Sequence, residues 1–258
     1  MKKTTIHLEK LNYVETEEVK TLRTNIMFCG KEKRVIMVTS NVMGEGKSTI
    51  AIRLATSLAE VKKNVLLIDL DLRKSVLPSR MHATDVDKGM SHFLSGQSGL
   101  SDVVMATNIS RLHVIFAGRY APNPTELLSS SRFQSLITYV RNLYDYIILD
   151  VPPLGMVVDA AIVAQQCDGA LLVLESGNVK YRLAQETKEK IEEAGCPVLG
   201  AVLTKVDRRQ QGRYYGKYYD KYYGHQEQEQ EQEQMPVEGL LSQEEFELEI
   251  QQNLSEKE

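Results

Sequence analysis

The sequence predicts an α/β fold: a mostly parallel, twisted sheet flanked by helices, followed by a disordered C-terminal tail. Three observations predict it. Between residues 34 and 205, short apolar runs alternate with helix-like stretches, the pattern of a parallel sheet with right-handed crossovers and helices on both faces. The runs are apolar almost throughout, as expected of strands buried on both faces. From Asp207 onward the apolar periodicity stops, and residues 207–239 hold too few hydrophobes to offset the entropy of ordering.

The elements follow in order. "ETEEVKTLRTNIMF" (15–28) reads as an amphipathic helix, with Val19, Leu22 and Ile26 at helical spacing. "RVIMVTS" (34–40) reads as the first core strand, and "STIAIRLATSLAEV" (48–61) as a helix with Ile52, Ala55, Leu58 and Ala59 on one face. "NVLLIDLD" (64–71), "LHVIFAG" (112–118), "YIILDVP" (146–152), "GALLVLES" (169–176) and "PVLGAVLTK" (197–205) repeat the buried-strand pattern, with helices over 125–143, 159–167 and 180–195 between most of them. Beyond the core, "EQEQEQEQ" (227–234) is low-complexity. "SQEEFELEIQQNL" offers Ser242 and Glu245 at capping-box spacing, before Phe246, Ile250 and Leu254. The organisation is therefore an N-terminal helical segment (1–30), the α/β domain (31–206), a tyrosine-rich segment (207–225) and an acidic Glu/Gln-rich tail (226–258).

Composition narrows the classes. The chain has 258 residues, 42% of them hydrophobic, enough for a sizeable core. No apolar run approaches the roughly 20 residues needed to cross a bilayer. No apolar stretch follows the two lysines of "MKKTTIHLEKLNYVETEEV" as a signal peptide requires. The expectation is a cytoplasmic protein whose membrane contact comes through a partner. Cys29, Cys167 and Cys196 form no CxxC pair and no His/Cys cluster, which argues against a zinc site, an iron–sulfur cluster or a disulfide framework. The net charge of −4 divides unevenly: residues 226–258 carry eleven glutamates and one lysine, a charge of −10, which leaves +6 on residues 1–225.

"TSNVMGEGKST" (39–49) follows a strand and opens a helix, the context of a phosphate-binding P-loop. Gly44 and Gly46 let successive N–H groups point at phosphate oxygens, and the helix N-terminus adds its dipole. Lys47 is placed to neutralise the β- and γ-phosphates and the Ser48 hydroxyl to ligate Mg²⁺. Asn41 stands where the motif has its first glycine, a substitution that tolerance of left-handed backbone would allow. "LLIDLDLRKS" (66–75) ends a strand with Asp69 and Asp71, whose spacing in an extended chain aims both carboxylates the same way, with Arg73 continuing that face. "YIILDVPPLG" (146–155) ends another strand with Asp150. A carboxylate there is costly unless it meets a cation.

These three motifs together resemble the bacterial tyrosine kinases (BY-kinases) of capsular and exopolysaccharide biosynthesis, P-loop NTPases of the MinD/ParA-like branch. Gly44, Glu45, Gly46, Lys47, Ser48 and Thr49 resemble their Walker A, "LLIDLDLR" their Walker A′ and "IILDVPP" their Walker B. The resemblance spans about 13–224 and includes "NPTELL" (123–128) and the cluster "RYYGKYYDKYYGH" (213–225). It implies ATP and Mg²⁺ as cofactors, held by Lys47, the loop amides, Ser48, Asp71 and Asp150. It implies Asp69 or Asp71 as the group that orients the attacking phenol, and autophosphorylation of Tyr214, Tyr215, Tyr218, Tyr219, Tyr222 and Tyr223. Glu17, Lys20 and Arg23 resemble the family's E-x-x-R-x-x-R element, which implies a ring of subunits phosphorylating one another in trans. Lys20 lacks the arginine fork. The resemblance also implies a membrane adaptor, the cytoplasmic tail of a polysaccharide co-polymerase, and a cognate tyrosine phosphatase. The acidic tail departs from the core family.

Two rival readings stand beside the kinase. A P-loop ATPase that switches assembly without phosphorylating protein shares the same loop. The extra loop lysine of partition and septum-site ATPases is absent, Val42 and Met43 standing in that region. A single-stranded nucleic-acid module suits interleaved Tyr, Lys and Gly, but the acidic tail repels a polyanion and the P-loop is left without a purpose. No nucleic-acid partner is expected.

Overall fold

The structure, a computed structural model, describes residues 2–84, 86–154 and 158–206. The expectations for the tyrosine-rich segment, the acidic tail and the helix from Ser242 lie outside the described residues.

The chain order is β1 (Lys2–Lys3), α1 (Tyr13–Phe28), β2 (Val35–Ser40), α2 (Lys47–Glu60), β3 (Val65–Asp69), α3 (Leu77–Arg80), α4 (Met90–Leu94), α5 (Leu100–Val103), β4 (Met105–Ala106) and β5 (Leu112–Ile115). It continues with α6 (Pro124–Leu128), α7 (Ser131–Val140), β6 (Tyr146–Asp150), α8 (Asp159–Ala164), β7 (Gly169–Glu175), α9 (Tyr181–Glu193) and β8 (Val198–Thr204). The strands form one sheet in the order β1-β4-β5-β3-β6-β2-β7-β8. From β5 to β8 every pairing is parallel, whereas β4 runs antiparallel to β5. The α/β expectation of a mostly parallel sheet flanked by helices is borne out.

Alternate residues of each strand feed two cores, one on each face. Ile36, Val38, Val65, Leu67, Tyr146 and Ile148 pack with Ile26 of α1 and with Ala51, Ile52, Leu54, Ala55 and Leu58 of α2. Val35, Met37, Leu66, Ile68, Ile147 and Leu149 pack with Phe133, Leu136 and Val140 of α7, Val163 of α8 and Ile191 of α9. Burial on both faces is why these strands read as unbroken apolar runs rather than alternating ones. Helix α1 begins at Tyr13, earlier than its apolar spacing indicates. Asn12 caps it, accepting from Glu15 N at 2.8 Å while its own N–H donates to the Glu15 carboxylate at 3.1 Å.

Two differences have local causes. The helix expected over 125–143 is divided into α6 and α7. Ser130 takes the N-cap of α7 with extended backbone, its hydroxyl accepting from Phe133 N, since serine competes with helical hydrogen bonding in mid-helix and serves better at a cap. Strands β1 and β4 are two residues each, too short to carry a readable period.

What the topology does for function is set by register. Strand β6 lies between β2 and β3, pairing Val38 with Asp150 on one side and Asp69 with Asp150 on the other. The loop after β2 and the acidic ends of β3 and β6 therefore emerge side by side at the carboxyl end of the sheet, where ligands of open α/β folds bind.

Candidate active site

The loop from Asn41 to Gly46 connects β2 to α2. Gly44 and Gly46 adopt φ of +87° and +93°, left-handed backbone that favours glycine. A Cβ on Gly46 would also stand 3.3 Å from the Thr204 methyl group, a tight contact that adds to the backbone strain. The loop and the end of β2 that leads into it are braced by neighbouring segments. The Thr204 hydroxyl donates to Glu45 O at 2.7 Å, the Thr39 hydroxyl to Pro152 O at 2.8 Å, and Leu154 N to Ser40 O at 3.0 Å.

Asn41 does not use the left-handed backbone that its place in the motif suggested; it is absent from the positive-φ residues. It is fully buried instead, and its side-chain carbonyl accepts from the Thr187 hydroxyl of α9. Where the motif has a glycine, this chain has a side-chain tie between the loop and a helix on the far side of β7. Glu45 also departs from a ligand-facing role. It is 1% exposed, and its carboxylate folds back to accept from Val42 N at 2.8 Å, so only its backbone is offered to a phosphate. Thr49 accepts from Arg80 at 3.0 Å.

Lys47 is the first residue of α2 and is 9% exposed. Its Nζ lies 3.0 Å from Asp150 Oδ1, 3.4 Å from Ser48 Oγ and 3.6 Å from Asp71 Oδ2. Burial by itself lowers the affinity of Lys47 for its proton. Asp150, Asp71 and Asp69 outweigh that and hold the ammonium above its ordinary pKa. The carboxylates are left in excess. Complete burial, and next the charge of Asp150, push Asp69 up to about 7, against the pull of the Ser75 hydroxyl and Lys47. Burial raises Asp150 as well, although Lys47 and the Ser48 hydroxyl oppose it. Three carboxylates share one ammonium, and that electrostatic deficit invites a further cation.

The expectation that Asp69, Asp71 and Arg73 continue one extended face is corrected. Strand β3 ends at Asp69 and the chain turns. Asp69 Oδ1 accepts from Asp71 N at 3.1 Å and Asp71 Oδ1 from Lys74 N at 2.9 Å, because aspartate side chains readily bond backbone two or three residues on. The turn still delivers Asp71 to Lys47. It sends Arg73 elsewhere: Nε and Nη2 grip the buried Asp159 at 2.8 and 3.2 Å, and Thr125 joins them at 2.7 Å from Asp159 Oδ1. This triad ties the acidic loop to α8 and to the "NPTELL" segment. Asp159, Thr125 and Ser75, whose hydroxyl bonds Asp69 Oδ2, carry no motif spacing that would single them out in sequence.

Glu17, Lys20 and Arg23 lie along α1, apart from these groups. Lys20 pairs with Glu17 at 2.7 Å, and Arg23 donates to Ser57 O and Oγ of α2 at 3.2 and 3.1 Å. A cavity of about 470 Å³ between residues 6–11, α1 and α2 is lined by Lys20, Arg53 and Ser57.

A glycine-bent loop between a buried strand and a helix, a lysine at the first position of that helix and two in-register acidic strand ends define a nucleotide-binding P-loop protein. Comparison with known proteins agrees and goes further. An AAA-domain family model matches residues 33–181. The tyrosine-protein kinase CpsD of Streptococcus agalactiae serotype III is 45% identical over 194 residues, covering 75% of this chain and 84% of that one. The kinase domain of the Escherichia coli tyrosine kinase ETK superposes with a TM-score of 0.70 at 30% identity, over 74% of this chain and 77% of that one. The septum site-determining protein MinD of Pyrococcus horikoshii, complexed with Mg-ADP, shares the fold at 22% identity and a TM-score of 0.61, over 72% and 76% of the two chains. The chain belongs to the family of bacterial tyrosine-protein kinases.

Proposed function

We propose that this chain is an ATP- and Mg²⁺-dependent protein-tyrosine kinase that phosphorylates its own C-terminal cluster, Tyr214, Tyr215, Tyr218, Tyr219, Tyr222 and Tyr223, in trans within an oligomer, and thereby regulates capsular or exopolysaccharide polymerisation and export. The observation that carries it is the meeting of Lys47 with Asp150 and Asp71 beside the glycine loop, in a chain 45% identical to a curated tyrosine-protein kinase.

The loop amides and Lys47 hold the β- and γ-phosphates. Ser48 Oγ, Asp150 Oδ1 and Asp71 Oδ2 surround one cationic atom in this structure, the Lys47 ammonium, at 3.0–3.6 Å. They are hard oxygen donors of the kind Mg²⁺ takes. Among the described residues no three His, Cys, Asp or Glu side chains gather to hold a metal alone, which suits an ion that completes its shell with phosphate and water. Bound there, Mg²⁺ supplies charge neutralisation for the transferring phosphoryl group. Asp69, buried and holding its proton more tightly than an ordinary carboxyl, orients the phenol and receives its proton. Asp71, engaged with Lys47, falls to the metal side.

Residues 1–30 serve subunit association through Glu17, Lys20 and Arg23, residues 31–206 form the kinase domain, 207–225 the acceptor segment, and 226–258 an acidic extension. Each phosphate adds about −1.5 to −2 charges to a basic segment, enough to break an assembly held by it. Among the described residues no helix is long and apolar enough to cross a membrane. A cytoplasmic enzyme held at the inner face of the membrane by an adaptor's tail fits that, with a cognate phosphatase resetting it.

The test is to incubate the full chain with labelled ATP, Mg²⁺ and the adaptor tail, then map label to residues. Label on Tyr214–Tyr223 supports the kinase. Phosphate release with no labelled residue supports the assembly-switch ATPase instead.

A further inference from the structure

Asp69 is enclosed by the loop it begins. It is 0% exposed, Oδ1 accepts from Asp71 N at 3.1 Å, and Oδ2 accepts from the Ser75 hydroxyl. No solvent reaches the carboxylate, so a hydroxyl that is to give it a proton gains access only when a group covering it moves, and these two donors are the groups bonded to it. They are not equally replaceable. The Asp71 N–H is fixed by the turn, which Lys74 N closes onto Asp71 Oδ1 at 2.9 Å. Ser75 is half-buried between exposed Lys74 and exposed Val76, and a serine hydroxyl leaves by a single χ1 rotation. Oδ2 is the side that opens.

We propose that Ser75 is a positioning residue that keeps Asp69 closed to water: its hydroxyl stands where the acceptor hydroxyl must stand, and a tyrosine presented by a peptide displaces it. The inference rests on Asp69 as the proton acceptor. In the productive step the phenol oxygen bonds to the γ-phosphorus, and the bond from that phosphorus to the β–γ bridging oxygen breaks. The electron pair leaves on ADP and the phenolic proton passes to Asp69 Oδ2. In the wasteful step water takes the place of the phenol and the products are ADP and inorganic phosphate. A peptide brings binding energy from its flanking residues to displace Ser75; a water molecule brings none. Ser75 therefore biases the enzyme toward transfer over hydrolysis.

The experiment uses the full-length chain with the six clustered tyrosines changed to phenylalanine as the acceptor-free enzyme, alongside the unmodified chain. Phosphate release from Mg·ATP is measured for Ser75, Ser75→Ala, Ser75→Cys and Ser75→Thr, with affinity for a fluorescent ADP as the check on folding. Ser75→Ala is expected to raise acceptor-free hydrolysis about ten-fold, the scale of one hydrogen bond, and to raise phosphate released per phosphotyrosine formed in the unmodified chain. Ser75→Thr restores the low rate, and Ser75→Cys, a weaker donor of similar volume, falls between. Hydrolysis that is unchanged or lower in Ser75→Ala with Asp69 intact, when Asp69→Asn tested separately blocks tyrosine transfer, overturns the role of Ser75 alone. Full tyrosine transfer in Asp69→Asn overturns the assignment of Asp69 itself. Equal gains in Ser75→Ala and Ser75→Thr also overturn the inference, since a merely structural disturbance would not respect the hydroxyl.

Discussion

The two ends of the sheet treat carboxylates in opposite ways, the half-buried Asp168 at one end and the fully buried Asp69 and Asp150 at the other. At the amino end Asp168 accepts from Arg34 N and Val35 N at 2.9 and 2.8 Å, and from both Arg141 nitrogens at 2.8 and 3.0 Å. Burial pushes its pKa up, but Arg141 and the two amides outweigh burial and hold the carboxyl below its ordinary value. At the carboxyl end Asp69 and Asp150, paired across β3 and β6, are both held above theirs. The same residue type on the same sheet is fully partnered where it starts strands and short of positive charge where strands end. A fold that needed those aspartates only for packing had the means to satisfy them, as Asp168 shows. The deficit therefore marks the place where a ligand's positive charge completes the structure.

Four changes test that contrast, the largest first. Lys47→Met removes the one ammonium that the three site carboxylates share, and tyrosine phosphorylation should fall about a thousand-fold or more while the chain stays folded; phosphotyrosine immunoblotting of purified chain reads it. Full activity would mean the carboxyl end is not the chemical end. Asp69→Asn keeps the shape and removes the proposed base, and transfer should fall about a hundred-fold or more, measured as initial rate under saturating Mg·ATP. Asp168→Ala moves the other variable. It strands Arg141 and two backbone N–H groups and should cost about 2 kcal/mol of stability, the Arg141 side chain being partly solvated. Specific activity per folded molecule should not change. Denaturant melts paired with activity would break the contrast if catalysis fell instead.

The smallest effect is in pH dependence, and its sign differs between the ends. Asp168 has a folded pKa below its unfolded value near 3.9, so its contribution is present above that value and lost as pH falls through the folded pKa. Asp69, at about 7 when folded, contributes in full below about 4 and loses that contribution as pH rises through 7. In chelator, Asp69→Asn should therefore raise the melting temperature at pH 8 by about 5 °C and leave pH 4 unaltered. Asp168→Asn should flatten the acid limb only. A melting temperature that falls at pH 8 in Asp69→Asn would show Asp69 to be satisfied after all.

How much of this was legible in sequence follows the same division. The glycine loop and Lys47 announce themselves by their spacing between a strand and a helix, and Asp69, Asp71 and Asp150 because they close apolar runs, where a charged residue has no structural excuse. The tertiary facts were not legible. Strand order depends on contacts between segments as far apart as Val35 and Ile147. Arg73 was assigned to the acidic face, yet a partner 86 residues away, Asp159, holds it elsewhere. Asn41 was read through backbone tolerance, when what decides its place is a hydroxyl on α9. Ser75 was invisible for a simpler reason: a serine in a polar loop has no spacing to betray it, and only the turn after Asp69 brings it back onto the carboxylate.

The rung that pairs Asp69 with Asp150 also makes activity a proofreader of assembly. A one-residue slip of β3 against β6 would exchange the two faces of the strand, since side chains alternate with a period of two. Leu67 and Ile68 would trade cores, and the two carboxylates would move off the same rung. No separate inspection of the register is needed. A molecule that zips its central strands wrongly forfeits its hydrophobic fit and its chemistry together, so any turnover reports a sheet that has been correctly aligned.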